Sequence, residues 1–101
     1  MIEPEMAFAD LSDNMDMAEA MVKSVINHVM QTCPYELEFL NNFVDKGLLA
    51  RLKNVAESDF VRLSYTEAIK ILEPVKDKFE FPVYWGCDLQ SEHERYITEQ
   101  V

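Results

Sequence analysis

The sequence predicts a mainly helical chain with short β segments at its two ends. Three observations lead there. Only two of the 101 residues are glycine, Gly47 and Gly86, too few for a domain built on tight β-turns. Apolar residues recur at i, i+3 and i+4 through the middle of the chain, the period of a helix with one buried face. The ends read differently: the opening "MIEPEMAFADL" alternates along its length, and "KDKFEFPVYWGCDL" is a polar turn followed by a strand-like aromatic run.

Read as a strand, residues 1–11 place Ile2, Pro4, Met6 and Phe8 on one face and Glu3, Glu5, Ala7 and Ala9 on the other. "LSDNMDMAEAMVKSVINHVMQTCP" is the longest expected helix, near residues 14–32, with Met15, Ala18, Val22, Val25 and Val29 as its stripe. Met21 and Ile26 widen that stripe, and Ser12, Asp13 or Asn14 is the expected cap. Cys33-Pro34 ends it, because the residue before proline is pushed out of the helical region.

Pro34 suits the first turn of a second helix, with Leu37, Leu40 and Val44 inward. Asp45-Lys46-Gly47 breaks it, and "LLARLKNVA" is a third helix carrying Leu48, Leu49, Leu52 and Val55. "DFVRLS" alternates as a short strand would. Ser64 and Glu67 form a capping box for a fourth helix with Tyr65, Ala68, Ile69 and Leu72 buried, stopped at Glu73-Pro74. Ser91 and Glu94 repeat the box at the start of "SEHERYITEQV".

The length is that of one small domain with a limited core. Nineteen acidic against nine basic residues give a net charge of −10. That excludes a chain that grips a phosphate backbone by itself, since such binding rests on clustered Lys and Arg. Cys33 and Cys87 lie far apart, with no CxxC or Cys/His spacing to make a zinc site. Neither a signal peptide nor a membrane-spanning run is legible, so the expected setting is the cytoplasm.

His28 reads as a packed or surface residue. His93, inside "SEHER", reads as part of a solvated helix start, with Glu92, Glu94 and Arg95 complementing the helix dipole and pairing at the surface. Met15, Met17, Met21 and Met30 make a soft core rather than a cofactor box. Trp85 reads as a buried anchor, with Gly86 letting the chain turn. Glu3 and Glu5 stand out: two carboxylates one pleat apart, beside small alanines, leave room for a ligand that donates hydrogen bonds.

Two stretches carry a resemblance. "MIEPEMAFADL" resembles the second strand of motif 2 in the class II aminoacyl-tRNA synthetases, aspartate/asparagine subgroup. "FPVYWGCDLQSEHERYITEQV" is similar to the segment that subgroup carries between motifs 2 and 3. The run from "FVDKGLL" to "AIKIL" is similar to its helical insertion. The proline of "IEPEMAF" and the "WG.DLQSEHER" pattern favour the asparagine branch over the aspartate branch.

The resemblance implies part of an α+β catalytic domain, an antiparallel sheet with a helical insertion. It divides this single partial domain into a motif 2 strand (1–11), the insertion (12–79) and a return segment (80–101). The strand would start at residue 1 because its hairpin partner lies upstream. The implied reaction is ATP-dependent activation of asparagine and its transfer to tRNA by a homodimer, with Mg²⁺ assisting. Glu3 aligns with the acidic residue that contacts the amino acid, and Glu5 with the next acidic position on the same face. Gln90, Ser91, Glu92 and His93 fall where the pocket wall returns. No residue here is expected to be catalytic or to ligate a metal. The arginines that bind ATP lie outside the chain, so it is expected to be inactive alone and not to bind nucleic acid. The alternative is a stand-alone acidic helical module, derived from the insertion, that binds another protein.

Overall fold

The computed structural model describes all 101 residues, Met1–Val101. It is mainly helical and contains no strand. Helices α1 (Leu11–Thr32), α2 (Pro34–Phe43), α3 (Leu48–Glu57), α4 (Tyr65–Leu72) and α5 (Ser91–Gln100) follow one another, with a 3-10 helix at Glu73–Lys78 after α4. The chain divides into two compact units, Met1–Phe60 and Val61–Val101.

In the first unit, α1 packs on α2 and α3, and α2 packs on α3. The cap of α1 is Asp10, not one of Ser12, Asp13 and Asn14. Asp10 accepts the Asp13 N–H at 3.0 Å, and Asp13 accepts the Asp10 N–H at 2.9 Å. Asp13 is thus the returning partner of the box, a role usually filled by Glu or Gln. The Asp13 N–H holds the Asp10 carboxyl below the usual carboxylate range. At the other end Cys33 leaves the helical region and Pro34 opens α2, as the X-Pro step requires.

The inward face of α1 differs from the expected stripe. Met15, Glu19, Lys23, Ile26, Val29 and Met30 are half-buried, whereas Met17, Met21, Val22 and Val25 are exposed. A Glu19–Lys23 pair at 3.0 Å lies on the packed side, and the Lys23 ammonium sits 5.2 Å from the centre of the Phe60 ring. In α2, Leu37 is buried while Leu40 and Val44 are exposed; Leu48, Leu49, Leu52 and Val55 of α3 are half-buried. Between α2 and α3, Asp45 accepts the Gly47 N–H at 3.1 Å and pairs with Arg51, which holds the Asp45 carboxyl below its usual range.

The second unit has a denser core: Ile69, Leu72, Val83 and Cys87, with Phe79, Leu89, Tyr96 and Ile97 packed against it. The Ser64–Glu67 box caps α4 as expected, and Ala68, Ile69 and Leu72 are its buried face. Glu73-Pro74 ends α4 as expected, and Pro74 then sits in the first turn of the 3-10 helix, where a missing N–H costs nothing.

Each expected β segment is corrected. Residues 1–10 form no strand: the chain turns at Ala7-Phe8, Phe8 has φ 57°, and Ile2, Met6 and Phe8 are exposed. "DFVRLS" and the aromatic run at 80–89 are irregular as well. A strand is a pairing, and these segments have no backbone ladder to join. Cys33 and Cys87 are free thiols, and no helix is long and apolar enough to cross a membrane.

Candidate functional site

Glu3 and Glu5 lie in the irregular opening segment of the first unit, both exposed. The expected neighbours Ala7 and Ala9 are exposed too, and Phe8 points away from any core. These two carboxylates are therefore presented on unpaired backbone rather than on a pleat.

Gln90, Ser91, Glu92 and His93 are brought together by the start of α5 in the second unit. The Ser91–Glu94 box expected there does not form. Gln90 is the cap, and its backbone N–H donates to His93 Nδ1 at 3.0 Å. His93 therefore stands at the third helical position, the place where a capping box puts its returning acceptor. It is 0% exposed, the opposite of a solvated helix start. Its Nε2 faces the Phe81 carbonyl at 3.3 Å, and its ring meets Phe79 edge-on at 4.9 Å.

Glu92 turns back to the same segment. Its carboxylate accepts the N–H of Phe81 at 2.8 Å and of Glu80 at 3.2 Å. Those bonds, the Phe81 N–H first, hold its carboxyl below the usual range. Ser91 is exposed and Gln90 half-buried. Glu92 and His93 thus replace the absent sheet hydrogen bonds by gripping residues 80–90 with side chains.

The far side of this segment is held by α4, through residues that the sequence pattern did not single out for it. The Tyr65 hydroxyl donates to the Cys87 carbonyl at 2.6 Å and accepts the Gly86 N–H at 2.8 Å. Trp85 Nε1 donates to Thr66 Oγ1 at 3.2 Å, while the indole lies edge-on to Tyr65 at 5.9 Å and stays 67% exposed. Trp85 is thus a fixed surface ring and not a buried anchor. Gly86 does let the chain turn, at φ 101°. Helical periodicity counts Tyr65 as a core residue; the signal for its real role is the turn glycine that needs a partner 21 residues away.

No group of three or more His, Cys, Asp or Glu side chains is gathered to hold a metal ion.

The family profile of class II tRNA synthetases (D, K and N) matches residues 1–101. The chain is 65% identical over 101 residues to the asparagine–tRNA ligase of Alkaliphilus oremlandii (strain OhILAs), covering 100% of this chain and 22% of that protein. It is 63% identical over 101 residues to the asparagine–tRNA ligase of Clostridium novyi (strain NT), with the same shares. For the asparagine–tRNA ligase of Clostridium botulinum (strain Eklund 17B / Type B) the identity is 61% over 100 residues, 99% of this chain and 22% of that protein. No solved structure matches the chain. The chain spans about a fifth of the length of the curated relatives it matches. On a family match that runs from end to end, the chain belongs to the class II tRNA synthetases of the D, K and N group.

Proposed function

We propose that this chain is a segment of the catalytic domain of an asparagine–tRNA ligase, an enzyme that activates asparagine with ATP and transfers it to tRNA. The observation that carries the reading is 65% identity over the whole chain to a protein of that name. The same observation favours it over a stand-alone interaction module. Residues 1–11 are the motif 2 strand, which gains its ladder from other parts of the longer protein. Residues 12–79 are the helical insertion, and 80–101 the return segment before motif 3. ATP and Mg²⁺ are bound by those other parts, in a cytoplasmic homodimer.

Within this reading Glu3 selects the amino acid. An ionised carboxylate only accepts hydrogen bonds. It receives the side-chain amide NH₂ of asparagine and repels the carboxylate of aspartate. Glu5, two residues on, holds neighbouring basic groups or the pocket floor, and Gln90, Ser91, Glu92 and His93 line or support the pocket wall. The test is pyrophosphate exchange by the full-length protein with each of asparagine, aspartate and lysine. Exchange that depends on asparagine alone supports the proposal; exchange driven by aspartate or lysine instead refutes it.

A further inference from the structure

His93 is the one polar side chain among the buried residues, and both of its ring nitrogens are engaged by backbone groups of known polarity. The Gln90 N–H has only a proton to give, so Nδ1, at 3.0 Å, is the bare, accepting nitrogen. The Phe81 carbonyl has only lone pairs, so Nε2, at 3.3 Å, carries the hydrogen. The two contacts dictate one tautomer, neutral with Nε2–H. They also bracket a stretch of chain: Phe81 and Gln90 are its two ends. Between them no ladder holds the backbone; Val83 and Cys87 pack inward, and Tyr84 and Trp85 are exposed.

Around the ring, Phe79 closes one side edge-on and is itself edged by Tyr96 at 5.6 Å. The charged neighbour is Glu92, whose Oε1 is 3.8 Å from Nε2 and is committed to the Phe81 N–H. Phenylalanine would satisfy the packing here. Only a side chain with an acceptor at the Nδ1 position satisfies the Gln90 N–H as well.

We infer that His93 is a positioning residue: as the neutral Nε2–H tautomer it clasps Phe81 to Gln90 and sets the path of the segment between them. Through that path it places Gln90 for the pocket, a consequence that rests on the synthetase reading. The clasp itself does not.

The test uses the full-length protein carrying His93→Asn, His93→Gln or His93→Phe. Asparagine puts Oδ1 where Nδ1 stood, glutamine puts its amide nearer the Nε2 position, and phenylalanine keeps only the ring. Hydrogen exchange of the peptide covering residues 79–92 is expected to accelerate most in His93→Phe, roughly 5- to 10-fold, because both contacts are lost. His93→Asn, which keeps only the Gln90 contact, and His93→Gln, which keeps only the Phe81 contact, are each expected to fall between wild type and His93→Phe. In the unaltered protein, ¹⁵N-histidine NMR should show Nδ1 bare and Nε2 protonated. Wild-type exchange in His93→Phe, or a protonated Nδ1, overturns the clasp.

Asparagine KM supplies the other arm: it should rise in His93→Phe and recover in part in His93→Asn, with kcat less affected, whereas simple misfolding lowers kcat at constant KM. Absence of asparagine activation in the unaltered protein refutes the synthetase reading, and the exchange and NMR results still decide the clasp.

Discussion

Phe81 donates its backbone N–H to Glu92 Oε1 at 2.8 Å, across eleven positions of sequence. With the Glu80 N–H at 3.2 Å on the same carboxylate, this bond fastens the segment before α5 to its first turn. Charge-assisted bonds of this kind stabilise only the ionised carboxylate. The folded Glu92 carboxyl titrates below its ordinary 4.5 because of them. A depressed folded pKa means stability that is fully present above 4.5 and lost as pH falls through the lowered value. Thermal melts from pH 7 to pH 3 should therefore show a decline beginning near 4.5, and Glu92→Gln should flatten it while lowering the melting temperature at pH 7. Identical profiles for the two proteins would remove Glu92 from this role.

The second unit should be the more sensitive to truncation. Leu72 is fully buried in the cluster with Ile69, Val83 and Cys87. Leu72→Ala removes its packing and leaves a cavity, which costs about 2–5 kcal/mol. Val22→Ala on the exposed side of α1 should stay within about 0.5 kcal/mol in the 101-residue chain. Urea unfolding of both variants checks the contrast.

Ser64 receives the Glu67 N–H at 3.3 Å, and its own N–H donates to Glu67 Oε2 at 3.0 Å. Ser64→Ala should lower stability by about 1 kcal/mol. Ser91→Ala should have no such effect, because Ser91 lies inside α5 and Gln90 is the cap. Equal losses at the two serines, measured by denaturant unfolding, would contradict the assignment of the caps.

Those two serines show what the sequence made legible and what it hid. The Ser64 box was readable because the acceptor and the returning carboxylate are the common types. At α5 the returning group is an imidazole, and at α1 it is Asp13 answering Asp10; neither fits the usual Ser/Thr…Glu pattern, though the physical requirement is the same. The C-terminal end of the long helix followed from Pro34 and that of α4 from Glu73-Pro74, whereas the long helix starts at Leu11, ahead of the expected cap. The strands at 1–11 and 80–89 did not materialise, because period-two alternation predicts which faces a strand would show and cannot supply the neighbour that makes it one. For the site, the sequence singled out Glu3 and Glu5 and the run Gln90–His93. It could not reveal that Glu92 and His93 face back onto residues 80–81, since that depends on contacts eleven and twelve residues apart.

By itself the 101-residue chain should neither form asparaginyl adenylate nor bind tRNA tightly. On the proposed reading the ATP-binding arginines belong to other parts of the longer protein, and a net charge of −10 repels a polyanion. Asparagine-dependent pyrophosphate exchange by the purified chain, or submicromolar tRNA binding at physiological salt, would contradict this.

On the proposed reading Glu3 faces the amino-acid substrate of an asparagine–tRNA ligase, so amino-acid discrimination by the full-length protein should change with Glu3→Gln. Losing a charge-assisted bond to the asparagine amide should lower kcat/KM for asparagine roughly 10- to 150-fold. Discrimination against aspartate should relax as well, because the repelling charge is gone, while ATP KM holds steady. Pyrophosphate exchange with asparagine and with aspartate, wild type beside variant, gives both quantities. The asparagine-to-aspartate ratio should fall; an unchanged ratio would remove Glu3 from amino-acid selection, even if overall activity dropped.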